Sequence, residues 1–118
     1  MVSLVFLFIV AQLPRAFELV PNKALITMTQ GQNQSIICQA WQEVFPFDLT
    51  WEKNASAGSY VSVDPSIVKR DQSNRIVRAI LTIANAELSD GGIYKCKVSV
   101  KNRSTFRLTS VQVKGKLI

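Results

Sequence analysis

The stretch DGGIYKC, residues 90–96, decides the fold of this chain. Asp90, Gly92, Tyr94 and Cys96 stand at alternate positions, the period at which a β-strand shows successive side chains to one face. The alternation continues through GIYKCKVSV (92–100). The same pattern recurs in SIICQA (35–40), FDLTWEK (47–53), SYVSV (59–63), RIVRAILTIANA (75–86) and FRLTSVQVKG (106–115), each rich in β-branched or aromatic residues. Turn-forming residues separate these runs, as in NASAGS (54–59) and KNRS (101–104). No long helical period occurs, and NAELSD (85–90) predicts one short helical turn. Many short strands predict an all-β protein, a two-sheet antiparallel sandwich.

A chain of 118 residues supports one domain, and 47% hydrophobic content is enough for a core. Five glycines and four prolines exclude collagen-like and low-complexity chains. The N-terminal MVSLVFLFIVAQ contains an uncharged apolar run, Val2 to Ala11. A membrane span needs about 20 residues, so the run fits the core of a signal peptide instead. Residues 1–16 are expected to be the signal, with Ala16 before Phe17 as the junction and Ala11 as the alternative. Residues 17–118 then form the single domain, secreted and extracellular. No second apolar segment follows, and the tail VQVKGKLI is too short for a glycolipid-anchor signal, so no membrane span is expected after signal removal.

Two cysteines in an exported chain predict one disulfide, Cys38–Cys96. Neither lies in a C-x-x-C pair, which excludes zinc and redox motifs. Closing a loop of about half the chain removes unfolded-state entropy worth roughly 4 kcal/mol, against a usual domain stability of about 5–15 kcal/mol. The formal charge of +6 has no dense source; VKR at 68–70 is the tightest basic cluster. Such a charge suits a solvated surface or a polyanion such as heparan sulfate, and export argues against nucleic acid.

Cys38, Trp51 thirteen positions on, and then Asp90, Gly92, Tyr94 and Cys96 closely resemble the signature of the immunoglobulin superfamily. LTI at 81–83 resembles the strand that precedes this stretch in the family, and the resemblance covers roughly residues 18–115. It implies an immunoglobulin-like β-sandwich with one inter-sheet disulfide and a structural task for each residue. Cys38 and Cys96 face inward from opposite sheets. Trp51 packs on their bridge, burying about 150–250 Å² as aromatics do. Tyr94 turns its ring inward and its hydroxyl to backbone at the preceding turn, and Gly92 relaxes that turn. Asp90 is expected to pair with a basic residue, Arg70 by spacing and Arg75 as second choice. One strand near 59–63, between Trp51 and the turn DPS (64–66), resembles the intermediate set of adhesion molecules and receptors. The constant and variable types are the alternatives.

The chain has no histidine, which removes the Ser-His-Asp and Cys-His arrangements, so it is not expected to be an enzyme. No glycine-rich phosphate loop and no acidic cluster with calcium-ligand spacing appear, so no cofactor or metal is expected. Three N-glycosylation sequons begin at Asn33, Asn54 and Asn102, each near a predicted turn. Strand parity selects a binding face. With Tyr94 and Cys96 inward, Lys95, Lys97 and Ser99 face outward. With Val111 and Val113 inward, Phe106, Leu108, Ser110 and Gln112 face outward unless a bulge reverses the first two. Thr50 and Glu52 extend the face, and Tyr60 joins it. A second candidate is the aromatic connection WQEVFPF (41–47), in which Phe47 and Phe45 are expected to cap the core and Trp41 to be exposed.

These features predict a secreted single-domain protein that recognises an extracellular or cell-surface protein, in adhesion or signalling. The alternatives are a heparan-sulfate-binding module and a fragment of a larger immunoglobulin-family receptor.

Overall fold

The computed structural model describes residues 13–42, 46–56 and 58–116. The expected leader up to Gln12, and Glu43, Val44 and Phe45 of the aromatic connection, lie outside the described residues. Among the described residues, nine strands form two sheets. They are β1 (Arg15–Val20), β2 (Leu25–Thr29), β3 (Gln34–Trp41), β4 (Asp48–Asn54), β5 (Tyr60–Ser62), β6 (Val68–Ser73), β7 (Ile76–Ile83), β8 (Gly92–Val100) and β9 (Arg103–Lys114). One sheet has the order β1-β3-β7-β6, the other β2-β9-β8-β4-β5. All pairings are antiparallel except β2 with β9, which is parallel.

Six of these strands occupy the runs that alternate in the sequence. β1, β2 and β6 are additional. β6, VKRDQS, is exposed at every position except half-buried Val68, so no apolar period marks it. It is an edge strand, where charged side chains are common because they discourage pairing with other chains. β1 and β2 each bury two side chains at alternate positions, Phe17 with Leu19 and Ile26 with Met28. The expected turn at 64–66 is a 3-10 turn, Pro65–Ile67, whose start is capped by Asp64 Oδ1 accepting from the Ser66 amide at 2.9 Å. That bond holds the Asp64 carboxyl below the usual carboxylate range. The helical turn expected within 85–90 is the 3-10 turn Leu88–Asp90.

The core lies between the sheets. Ile36, Cys38, Leu81, Ala79, Cys96 and Val98 are fully buried. The Cys38–Cys96 bridge joins β3 of one sheet to β8 of the other, with Cα atoms 6.4 Å apart and 58 positions between them in sequence. Trp51 stands opposite Cys96 across β4 and β8. Its indole N–H crosses to the facing sheet and donates to the Ala79 carbonyl at 2.9 Å. Ala79 is in turn the register partner of Cys38. The indole is therefore fixed on both sides of the bridge, and its one polar atom is satisfied inside the core.

Tyr94 closes the lower end. Its ring is buried and its hydroxyl donates to the Asp90 carbonyl at 2.5 Å. Burial, and secondarily the Asp90 charge, push the phenol up to about 12. Gly92 follows at φ +148, and a Cβ there would meet Lys53 Cε at 3.0 Å. Lys53 needs that space: its ammonium donates to the Ser89 carbonyl at 2.7 Å and lies 5.4 Å from the Tyr94 ring centroid.

One expected contact is corrected. Asp90 does not pair with Arg70 or Arg75. The Asp90 carboxylate accepts from the Glu87 amide at 2.8 Å, capping its own 3-10 turn. Arg70 instead reaches across the sandwich and donates from Nη1 to the Leu49 carbonyl. A carboxylate one turn from an unsatisfied amide finds that amide first, because the local bond orders no long side chain.

Candidate functional site

The outer face of the β9-β8-β4-β5 region gathers most of the residues selected by parity. The β8–β9 register runs without a shift from Gly92–Val111 to Val100–Arg103. No bulge intervenes, so Thr109 and Val111 are buried while Phe106 and Leu108 point outward, 52% and 45% exposed. Rows across the sheet follow from the register. Leu108 stands beside Lys95, Glu52 and Ser62, and Phe106 stands beside Lys97 and Thr50. One row further down, Ser110 pairs with Ile93, and Asn54 pairs with Tyr60.

The electrostatics of this face are specific. Lys95 pairs with Glu52 at 3.3 Å. Its ammonium lies 4.1 Å from the Tyr60 ring centroid and 5.5 Å from that of Phe106. Lys95 thus joins its own strand β8 to three others, β4, β5 and β9, with both rings offering their negative faces to the cation. Lys97 makes no ion pair among the described residues. Glu52 on β4 stands opposite Lys95 on β8, whereas Lys97 stands opposite Thr50 and Asp48 opposite Ser99, so Asp48 is only a diagonal neighbour of Lys97. Exposed Phe106 and Leu108 border them. Such a mixture of apolar anchors and polar neighbours is the composition of a wet protein interface.

Trp41 belongs elsewhere. The sequence placed it in the connection after β3, but it is the last residue of β3, where it pairs with Arg15 and Ile76. It is 36% exposed on the outer face of the other sheet, and with Arg15 and Ala16 it lines a shallow pocket of about 300 Å³. The structure therefore does not bring Trp41 together with Lys95, Lys97, Phe106, Leu108 and Tyr60. Phe47 is half-buried and packs on the core, as a cap would.

The outer face that carries Trp41 also holds a side-chain ladder that sequence reasoning missed. Gln39 Nε2 donates to Glu18 Oε1 at 2.7 Å, Arg78 Nε donates to Gln39 Oε1 at 3.2 Å, and Arg78 Nη1 meets Asp71 Oδ1 at 3.4 Å. The ladder crosses all four strands, β1-β3-β7-β6. Its members are far apart in sequence, so only the register could have revealed it. Among the described residues no group of three or more potential metal ligands is present.

The sequons differ in setting. Asn33 accepts through Oδ1 from the Asn85 amide at 2.7 Å. Asn54 ends β4, half-buried, and Asn102 is exposed in the β8–β9 hairpin.

Two sheets of this order, bridged by one disulfide with a tryptophan against it and a tyrosine bonded to the turn before its strand, define an immunoglobulin-like sandwich. The chain belongs to the immunoglobulin domain family, whose pattern matches residues 18–100. Among solved structures, it is similar to a chimeric titin Z1Z2 functionalised with an exogenous decorin peptide. That match has 16% identity and a TM-score of 0.66, covering 92% of this chain and 100% of the other. The titin I-band fragment I67–I69 gives 19% identity and a TM-score of 0.66 over 89% of this chain and 34% of that one. Titin M4 gives 15% identity and a TM-score of 0.61 over 89% and 99%. At these identities the likeness is one of fold. Comparison with curated protein sequences returns no match.

Proposed function

We propose that this immunoglobulin domain is an exported recognition module that binds an extracellular or cell-surface protein, in adhesion or signalling, through the outer face of β9, β8, β4 and β5. The observation that carries this reading is the exposure of Phe106 and Leu108 at alternate positions of β9, next to Lys97, which has no ion pair among the described residues. Both stand mid-strand on β9 rather than at a loop tip, where β9 pairs with β8 on one side and β2 begins only at Ser110, and large apolar side chains so placed suit a partner that covers them.

Export is supported by the apolar run Val2 to Ala11 and by the disulfide, which persists in oxidising compartments. Cleavage after Ala16 leaves Phe17, a core residue, as the first of the mature chain. Cleavage after Ala11 would also keep Leu13, which packs on the core, and Arg15, which pairs with Trp41. Heparan sulfate suits this face less well, because Glu52 neutralises Lys95 and Asp48 stands near Lys97. A steep loss of binding with salt would revive it.

The test is a binding screen of the secreted protein against a panel of extracellular domains, repeated with Lys97→Glu combined with Leu108→Asp. The double variant is expected to be secreted normally and to lose the partner. Normal binding by the double variant would refute the assignment of this face.

A further inference from the structure

Of the three sequon asparagines, Asn54 is the one that stands on the proposed binding face. Trp51 is buried, so alternation along β4 turns Thr50, Glu52 and Asn54 outward. Asn54 pairs with Tyr60 on β5. One step beyond the last β4–β8 pair, Lys53 with Tyr94, it faces the side of Ile93, which is 37% exposed. No hydrogen bond engages the Asn54 carboxamide among the described residues, whereas the Asn33 carboxamide holds the Asn85 amide. The turn that follows Asn54 leaves the rest of the sequon accessible: Ala55 and Ser56 are exposed. Ser56 contributes only its backbone carbonyl to that turn, accepting from the Ser59 amide at 2.8 Å and the Ser59 hydroxyl at 2.7 Å.

We propose that Asn54 carries an N-linked glycan that lies over the Tyr60–Ile93 end of the outer face and confines partner contact to the end bearing Lys97, Phe106 and Leu108. The proposal rests on the reading of the chain as exported and of this face as the binding face. In the modifying step the Asn54 amide nitrogen bonds to the anomeric carbon of a lipid-diphosphate-linked oligosaccharide. The bond from that carbon to the diphosphate breaks, the lipid diphosphate leaves, and the amide nitrogen gives up one proton. The sugar then sits beside exposed Ile93 and the Tyr60 ring, one face of which already holds the Lys95 ammonium. Thr50, in the row of Lys97 and Phe106, is four residues away along β4, about 13 Å at the strand rise. That row stays clear while the Asn54 row is covered, and Leu108, in the intervening row of Glu52 and Lys95, is set apart from Asn54 by lying two strands across on β9. The glycan thus converts a broad mixed face into a narrower one and shields the apolar surface of Tyr60 and Ile93.

The experiment is hydroxyl-radical footprinting, read by mass spectrometry, on the full chain secreted from eukaryotic cells. Wild type is compared with Ser56→Ala, which removes the sequon and leaves the Ser56 carbonyl in the turn. Native wild type trimmed with an endoglycosidase that leaves one sugar on the asparagine supplies a second comparison without mutagenesis and without converting Asn54 to aspartate. The expected result is a glycan on the Asn54 peptide of wild type, with oxidation of Tyr60 and Ile93 rising severalfold once it is gone. Oxidation of Phe106 and Leu108 is expected to be unchanged. An unmodified Asn54 peptide in wild type overturns the proposal, as does Tyr60 oxidation that is indifferent to the glycan. The footprint uses no partner, so its failure is distinct from failure of the binding assay with Lys97→Glu and Leu108→Asp.

Discussion

The two outer faces of the sandwich obey the same parity rule and end differently. On the β1-β3-β7-β6 sheet, Glu18, Gln39, Arg78 and Asp71 satisfy one another in a chain across four strands, and Ile37 and Ile80 beside them are half-buried. On the β9-β8-β4-β5 side, Lys95 is tied to Glu52 and Tyr60, but half-buried Lys97 makes no ion pair among the described residues, and Phe106 and Leu108 are exposed. A solvated β-face can be closed by its own side chains or left open. The open one still carries unburied apolar area, which is why the proposed partner contact is placed there. Trp41 is the exception on the closed face, at its edge beside Arg15.

The largest expected effect removes the comparison altogether. Trp51→Ala takes out the indole that joins both sheets beside the disulfide, and should cost about 3–5 kcal/mol in denaturant unfolding. Both faces should fail together. Opening the Cys38–Cys96 bridge, by replacing both cysteines with alanine, should cost roughly 4 kcal/mol. Two reactive thiols in the native protein would refute the bridge and remove the disulfide's support for export.

Tyr94→Phe is a finer probe. It orphans the Asp90 carbonyl and should cost about 1–3 kcal/mol, without disturbing either outer face. Its pH signature has a defined sign. Below the ordinary value of 10.0 the phenol keeps its proton in folded and unfolded chains alike, and its contribution is fully present. As pH rises from there through about 12, the unfolded chain ionises first and stability falls. Tyr94→Phe should flatten that part of the unfolding profile; an unchanged slope would mean the phenol plays no part in it.

The smallest effect separates the faces. Arg78→Ala breaks the ladder on the closed face and should cost about 0.5–1 kcal/mol, since its partners are exposed and screened, and should leave partner binding intact. A loss of binding with Arg78→Ala would mean that the closed face is in use.

The residues that made the core legible share one property: their tasks are set by burial and alternation. Tyr94 and Cys96 two apart, Trp51 on a strand of its own, and Val111 with Val113 all encode which way a strand faces. Parity then reached Phe106 and Leu108, because β9 carries no bulge. What could not be read depends on which strands become neighbours. The Glu18–Gln39–Arg78–Asp71 ladder needs the register of three pairings, and the Arg70 bond to the Leu49 carbonyl needs the distance between sheets. β6 escaped because an exposed edge strand has no apolar period, and Trp41 was misplaced because β3 extends one residue past the alternation seen in SIICQA.

The most direct measurement pits the faces against each other in one binding assay. Wild type, Trp41→Ala, and Lys97→Glu with Leu108→Asp are secreted, matched for thermal midpoint, and tested on the extracellular domains that wild type binds. The account predicts that Trp41→Ala keeps the partner and the double variant loses it. Binding retained by the double variant and lost by Trp41→Ala would place recognition on the four-stranded sheet and contradict the account.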